Sequence, residues 1–248
     1  LTFQQLCKLQ MSSLQLYRIV KRRFCSKISE VVNHESYFTN TAKRRQPSPI
    51  RELAPLLREP GMISLAGGMP NPATFPFKSI SFQVPSTSNI IDGNNNEYTT
   101  LTFTDDELDK ALQYSPSKGI PELYEWMKEF HLNIHNVPYN NWDLCISTGS
   151  QDLITRTFDS ILEDGDTIII EAPTYSGTLS YLKARNINII SINMDENGMI
   201  IDELENKLNE LKLSNKIKFP KLIYTIPIGQ NPSGSSYSFQ RKQKIYQI

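Results

Sequence analysis

Three short polar loops in the second half of the chain contain residues whose types and spacing could bind a ligand. In the first loop, residues 148–151 (TGSQ), Gly149 allows a tight turn and Ser150 supplies a hydroxyl. A helical pattern begins at Ser150, so the backbone N–H groups of Ser150 and Gln151 would lie at a helix N-terminus, which favours an anion. The same residues are common helix caps, so an anion site and a simple cap both remain open.

The second loop, residues 171–177 (EAPTYSG), follows a run of β-branched residues. Pro173 ends that run and places Tyr175 at the mouth of the predicted sheet. There the Tyr175 ring could stack on a flat heteroaromatic group, and its hydroxyl could donate a hydrogen bond. Packing of the ring over the edge of the sheet is the alternative interpretation.

The third loop, residues 227–234 (PIGQNPSG), is first of all a turn sequence, because Pro fixes φ and Asn and Gly accept irregular conformations. Asn231 also follows a strand-like run, so its side-chain amide could face the same point as the other two loops. Three such loops after three strands of one sheet are uncommon. They favour a shared ligand site.

Strand and helix patterns alternate from residue 142 onwards and must position these loops. The sequence predicts strands at 142–147, 167–171, 187–192 and 221–226. It predicts helices from 150, around 179–184, from Asp202 to about 213, and from 238. This alternation is typical of an α/β fold with a three-layer, mostly parallel sheet, in which ligands bind outside the carboxyl ends of the strands.

The preceding segment predicts a β-hairpin followed by two helices. Alternating residues at 80–84 and 98–103 flank an Asn- and Gly-rich stretch, which indicates a loose hairpin connection or a plain surface loop. One helix is predicted from Asp105 and a second from Pro121. Apolar residues recur along the second helix at three- and four-residue spacing and are expected to face the core. They are Leu123, Trp126, Met127, Phe130 and Ile134.

The composition excludes several classes of protein. The 248 residues are 39% hydrophobic and 21% charged, and no apolar stretch is long enough to span a membrane. The three cysteines are widely spaced without a CxxC motif, which excludes a disulfide scaffold or Cys-rich zinc module and fits a reducing compartment. We expect no metal site. The chain after residue 45 is net acidic, which argues against nucleic acid as the main partner.

Residues 1–45 form a basic arm with nine Lys or Arg and two acidic residues. From Met11 the arm has basic, hydroxylated and apolar residues and no acidic residue before Glu30, which is typical of a mitochondrial targeting segment. A basic tail that carries no targeting signal is the alternative, so we expect a mitochondrial or cytoplasmic protein. Pro47 and Pro49 break the chain, and a domain is expected over 46–248.

Six segments of this domain together resemble a known family. They are PSPIR (47–51), MISLAGGMPNPATFPF (62–77), ALQYSPSKGIPEL (111–123), STGSQ (147–151), EAPTYSGTL (171–179) and IPIGQNPSG (226–234). Over 46–248 the chain is similar to the N-terminal portion of class I/II, fold-type I aminotransferases, most of all the kynurenine/2-aminoadipate and aromatic ones. The resemblance implies transfer of an amino group between an L-amino acid and a 2-oxo acid, pyridoxal phosphate as cofactor, and a homodimer when the protein is complete.

The resemblance also assigns roles to individual residues. Ser150 and Gln151 would hold the cofactor phosphate and the neighbouring ring edge, Tyr175 would stack on the pyridine ring, and Asn231 would hydrogen-bond the phenolic oxygen. For the substrate, Arg51 would bind a carboxylate and Gly68 would line the pocket. Tyr114 would reach across a dimer interface to the partner's site.

The chain departs from the family at the lysine that binds the cofactor covalently. That lysine lies well beyond the NPxG loop, and Lys221, Lys242 and Lys244 do not match its position. We therefore expect no catalytic residue in this chain, an incomplete domain with exposed sheet edges, and no activity of the chain alone. A non-catalytic binding or dimerisation module, or a truncated gene product, is the alternative.

Overall fold

The computed structural model describes residues 33–53, 56, 59–63, 65, 68–85, 98–137, 140–214 and 216–248. The chain divides into two compact units. Unit 1 comprises Leu1–Arg44 with Arg156–Ile248, and unit 2 comprises Arg45–Thr155.

The described strands and helices follow one another in an α/β order. The strands are β1 (Ser79–Pro85), β2 (Tyr98–Thr104), β3 (Thr167–Ala172), β4 (Asn188–Asp195), β5 (Gly198–Met199) and β6 (Leu222–Tyr224). The helices are α1 (Asn40–Arg44), α2 (Pro49–Glu52), α3 (Asp105–Leu112), α4 (Pro121–His135), α5 (Ser150–Ile161), α6 (Ser176–Lys183), α7 (Ile201–Ser214) and α8 (Phe239–Gln247). None of these described helices has the length and apolar character that a bilayer crossing requires.

Unit 1 is built on a four-stranded sheet in the order β5-β4-β3-β6. Strand β3 lies in the middle and pairs in parallel with both β4 and β6, while β5 turns back antiparallel to β4. The side chains of Ile168, Ile169 and Ile170 are at most 2% exposed, so β3 is covered on both faces, as its β-branched run predicts. The predicted α/β class with a mostly parallel sheet is confirmed.

The core of unit 1 lies where α7 packs against the sheet. Buried residues recur along α7 at three- and four-residue spacing, which gives the helix one apolar face. That face and the sheet together form a single hydrophobic cluster. Its buried members are Ile169, Ile190, Ile192, Met199, Leu204, Leu208, Leu211 and Tyr237.

Unit 2 contains the predicted hairpin and two of the predicted helices. Strands β1 and β2 pair antiparallel from Ser79 opposite Thr104 to Pro85 opposite Tyr98, which confirms the hairpin. Helix α3 begins at Asp105 and α4 at Pro121, as predicted. Proline suits the first turn of a helix because it has no N–H to satisfy there.

Two predictions for unit 2 are wrong. The first is the strand at 142–147, which pairs with no described strand. Ile146 N donates instead to Lys118 O at 2.9 Å, in a loop, so this apolar run has no neighbouring strand with which to form a β-ladder. The apolar stripe of α4 does not face a core either. Trp126 is 57% exposed and its ring stacks on Phe130 at 5.4 Å, because no described element covers this face.

The two parts of the chain that make up unit 1 are joined by hydrogen bonds from Thr39 and Asn40. Thr39, only 3% exposed, donates from its backbone N to Ser160 O at 2.8 Å, and Asn40 N donates to a Glu163 carboxylate oxygen at 2.5 Å. The end of the predicted basic arm is therefore attached to the C-terminal end of α5 and the turn that follows. The predicted targeting segment within residues 1–32 lies outside the described residues.

Candidate functional site

The loops that carry Tyr175 and Asn231 leave the same edge of the unit 1 sheet. Strands β3 and β6 are adjacent and parallel, so their carboxyl ends lie side by side. Gln230 joins the two loops, because its side-chain Nε2 donates to the carbonyl oxygen of Pro173 at 2.8 Å. Within unit 1, the structure therefore brings together the second and third predicted loops.

The Tyr175 ring folds back over the first turn of α6. A Cβ atom at Gly177 would lie 2.6 Å from Tyr175 Cε1, so only glycine leaves room for the ring in this position. Tyr175 itself is half-buried and forms the N-cap of α6 without a side-chain capping bond. The ring is thus held by local packing, and the hydroxyl is not used to cap the helix.

The Asn231 side chain is exposed on a tightly bonded turn. Gln230 N donates to Ser235 O at 2.8 Å, and Gly229 N donates to the Ser236 hydroxyl at 2.9 Å. These bonds fix the backbone on both sides of Asn231 while its side chain stays exposed. An exposed amide on a fixed backbone is suited to a directed hydrogen bond with a ligand.

A buried polar network underlies this edge, and sequence reasoning missed it. Glu171 is 1% exposed and its carboxylate accepts from Thr225 Oγ1 at 2.6 Å, Ile226 N at 3.1 Å, Gln230 Nε2 at 2.9 Å and the Tyr237 hydroxyl at 2.5 Å. Burial and the bond to Glu171 both raise the pKa of Tyr237. The available signal was a carboxylate that ends the buried run TIIIE, where a charge needs partners.

The first predicted loop lies in unit 2 at the start of α5. Gly149 has φ of +112°, a conformation that favours glycine, and the helix begins at Ser150. The N–H groups of Ser150 and Gln151 lie at the N-terminus of this helix, and the Ser150 side chain is exposed. This arrangement has the donors that a phosphate group requires.

Three buried side-chain polar atoms in the described part of the chain lack a hydrogen-bond partner: Gln151 Oε1, Thr174 Oγ1 and Thr178 Oγ1. Buried polar atoms are almost always paired, so each unpaired one points to a missing group. One lies in the first turn of α5, and the other two lie just before α6 and in its first turns. Gln151 lies on the first predicted loop and Thr174 on the second, so each of these loops, taken by itself, offers a buried polar atom to a polar ligand such as a phosphorylated pyridine.

The three residues predicted to bind substrate all lie in unit 2. Gly68 has φ of +60°, and Tyr114, 69% exposed, follows α3. Gln113 links these two places, because its Nε2 donates to Pro70 O at 2.9 Å. Arg51 lies in α2, and its side chain is outside the described residues. Their substrate roles stay predictions.

Lys221 lies at the opposite edge of the sheet from the loops. Its ammonium contacts the buried carboxylate of Asp166 at 2.6 Å, and Lys218 contacts the same carboxylate at 2.8 Å. Burial alone would raise the pKa of Asp166, but the hydrogen bonds from both lysines and from Glu163 N lower it to about 2. Lys221 thus has a structural partner there. Lys242 and Lys244 lie on α8.

The cavity of about 510 Å³ in unit 1 is a different place from the loops. It is lined by residues of α7, by 219–223 and by the last two residues of the chain, and no residue of the three loops borders it. Its walls include Ile169, Leu208, Phe219 and Ile223. We therefore place the candidate site at the loop edge and not in this cavity.

Comparison with known proteins identifies the family. The family described as "Aminotransferase class I and II" matches residues 88–248, which include all three loops. The mouse kynurenine/alpha-aminoadipate aminotransferase, mitochondrial, is 40% identical over 230 residues, which are 88% of this chain and 52% of that protein. The aromatic-amino-acid aminotransferase 1 of Thermococcus litoralis is 34% identical over 224 residues, 88% of this chain and 48% of that protein.

Solved structures agree with the sequence relatives. The aminotransferase Aro8 from Candida albicans superposes with a TM-score of 0.75 at 33% identity, covering 86% of this chain and 46% of that one. A kynurenine aminotransferase from Pyrococcus horikoshii, solved with PMP, gives a TM-score of 0.52 at 32% identity, covering 87% and 49%. The chain spans about half the length of the curated relatives it matches. It belongs to the class I and II aminotransferases.

Proposed function

We propose that this chain forms the cofactor-binding part of a pyridoxal-phosphate-dependent aminotransferase acting on amino acids of the aromatic, kynurenine or 2-aminoadipate type with a 2-oxo acid. The observation that carries the proposal is the joining of the loops after β3 and β6 by Gln230, in a chain of this family. That bond brings the loops of Tyr175 and Asn231 to one edge of the sheet. The names of the relatives supply the substrate class.

The residues would divide the work of holding the cofactor. The Ser150 hydroxyl and the backbone N–H groups of Ser150 and Gln151 would bind the phosphate, with the Gln151 side chain near the ring edge. The Tyr175 ring would stack on the pyridine, and the Asn231 amide would donate to the phenolic oxygen and hold its negative charge. When bound, pyridoxal phosphate supplies an electron sink for bond breaking at the amino-acid Cα.

Arg51 would bind a substrate carboxylate through its planar fork, and Gly68 would leave space for the substrate beside it. In a homodimer, Tyr114 would reach the partner's site, which its exposed position permits. We include the dimer in the proposal. A mass of two chains for the complete protein in light scattering would support it, and a mass of one chain would contradict it.

Stacking by Tyr175 can be tested with a matched pair of variants. Tyr175→Leu removes the aromatic face, whereas Tyr175→Phe keeps the face and removes only the hydroxyl. We expect Tyr175→Leu to weaken binding of pyridoxal phosphate about tenfold, and Tyr175→Phe to change it less. Equilibrium dialysis measures both. Equal losses in the two variants would contradict stacking.

The test of the proposed activity begins by sequencing the gene past the codon for Ile248. We expect the longest reading frame to encode a lysine at the family's position. We also expect the protein of that reading frame to produce a 2-oxo acid from kynurenine or 2-aminoadipate. A stop codon directly after Ile248 would contradict the enzyme and support a non-catalytic module. For the 248-residue chain we expect non-covalent cofactor binding, with no lysine labelled after borohydride reduction.

A mitochondrial location is part of the proposal. It rests on the acid-poor, basic stretch after Met11 and on the mitochondrial names of several relatives. A fluorescent protein fused behind residues 1–45 should accumulate in mitochondria. Diffuse cytoplasmic fluorescence would favour the cytoplasm.

A further inference from the structure

Strand β3 has a buried carboxylate near each end, and the two have different kinds of hydrogen-bond partner. Asp166, just before β3, and Glu171, near its carboxyl end, are both 1% exposed. Asp166 contacts two lysines, whereas the four hydrogen bonds to Glu171 in the described structure all come from uncharged groups. A buried carboxylate without a cation is costly, so Glu171 depends on its hydrogen-bond donors to remain there.

The donors to Glu171 come from three places along one segment of the chain, 225–237, at the loop edge. Thr225 and Ile226 follow β6, Gln230 lies in the third loop, and Tyr237 lies just before α8. One carboxylate therefore draws the whole 225–237 segment against the end of β3. Hydrogen bonds to a charged acceptor are stronger than neutral ones, which suits this task.

Gln230 extends the network to both ligand-binding loops, and its side chain has its full set of partners. Its Nε2 donates to Glu171 at 2.9 Å and to Pro173 O at 2.8 Å. Its Oε1 accepts from Ser233 N at 2.8 Å and from the Ser233 hydroxyl at 2.7 Å. Gln230 precedes Asn231 directly, and Pro173 lies two residues before Tyr175.

We propose that Glu171 and Gln230 are positioning residues for the cofactor, holding the Tyr175 loop and the Asn231 turn at a fixed separation. The inference rests on the proposed function, because it concerns the same site. Functional groups must be held within about 0.5 Å of their productive positions, and a supporting shell of hydrogen bonds is what achieves this. Neither residue needs to touch the ligand.

The test compares Glu171→Gln with Asp166→Asn. Each substitution neutralises a buried carboxylate of β3 at nearly constant size, but only Glu171→Gln does so at the loop edge. In the unliganded chain, hydrogen–deuterium exchange should rise about tenfold at 173–177 and 227–236 in Glu171→Gln. In Asp166→Asn the rise through local opening should be centred on the opposite edge, around 163–167 and 218–222, and the two loops should change much less than in Glu171→Gln. Unchanged exchange of both loops in Glu171→Gln would overturn the proposal.

Binding of pyridoxal phosphate supplies the second readout. Glu171→Gln and Gln230→Leu should weaken it about tenfold, and Asp166→Asn less than about twofold. The phenol of the bound cofactor should ionise at higher pH in Glu171→Gln, in the same direction as in Asn231→Ala, since a displaced amide no longer stabilises the phenolate. A purely structural role would not move this ionisation. Equal weakening by Asp166→Asn, or an unmoved ionisation in Glu171→Gln, would overturn the proposal.

The two readouts separate the inference from the proposed function. If the wild-type chain binds no pyridoxal phosphate while Glu171→Gln still raises exchange at both loops, the proposed function fails for this chain and the positioning role survives. If the wild-type chain binds pyridoxal phosphate and the exchange of both loops is unchanged in Glu171→Gln, the positioning role fails alone.

Discussion

Asp166 shows how a single residue makes stability depend on pH. Its buried carboxylate is ionised because two lysines and a backbone N–H bond it, and its pKa is lowered from 3.8 to about 2. A lowered pKa in the folded state stabilises the fold above the unfolded pKa, and this stabilisation is lost as the pH falls toward the folded pKa. From the shift, the contribution at neutral pH is about 2 kcal/mol.

We therefore expect Asp166→Asn to lower the free energy of unfolding by about 2 kcal/mol at pH 7 and to flatten its decline between about pH 4 and pH 2. Urea unfolding at a series of pH values measures both. Asp164→Asn is the matched control, because it removes the same charge from an exposed neighbouring position and should follow the wild-type curve. Parallel acid curves for Asp166→Asn and the wild type would contradict this account.

At the scale of elements, the turn between β4 and β5 depends on one glycine. Gly198 has φ of +100°, and a Cβ there would lie 2.0 Å from Cδ1 and Cε1 of Tyr237. Gly198→Ala must therefore displace a ring whose hydroxyl donates to Glu171. We expect a loss of about 3 kcal/mol in the free energy of unfolding, since strain in the backbone adds to overpacking.

Gly165→Ala provides the control for the backbone contribution alone. Gly165 has φ of +79°, but a Cβ atom at this position would have no described atom within 4 Å, so only backbone strain is expected, about 1 kcal/mol. The midpoints of urea unfolding compare the two variants, provided that the dependence of the free energy of unfolding on urea concentration is unchanged. Equal losses at the two glycines would show that the Tyr237 ring moves aside without cost.

The elements also show what could be predicted from sequence. The run at 167–171 identified β3 because β-branched residues on both faces suit a central parallel strand. The run at 142–147 looked similar, but a ladder needs a neighbour and none of the described strands pairs with it. The stripe of α4 was periodic, yet periodicity cannot specify what covers a face.

The candidate site divides in the same way. Glycines, a proline and polar residues after predicted strands marked the loops of Ser150, Tyr175 and Asn231, because turn chemistry is local in sequence. The network of Glu171, Gln230 and Tyr237 was missed, since its partners are 59 and 66 residues apart and only the fold brings them together.

At the scale of the whole molecule, zero net charge coincides with exposed apolar residues. The chain has 26 basic and 26 acidic residues, and its isoelectric point is about 7.0. Trp126 and Phe130 are exposed on one face of α4, together with Leu123 and Ile134. Without net repulsion such patches associate, so we expect the solubility of the chain to be lowest near pH 7 and to rise at pH 9.

A double variant that keeps the net charge at zero separates the effect of the exposed apolar residues of α4 from the effect of net charge. Trp126→Glu with Phe130→Lys removes the stacked rings, keeps the net charge at zero, and places Glu four residues before Lys, an order that supports the helix. Light scattering at pH 7 should fall several-fold relative to the wild type, with circular dichroism reporting unchanged helix content. If variant and wild type scatter equally at pH 7 and both stop scattering at pH 9, the association depends on net charge alone and the exposed residues of α4 do not contribute to it.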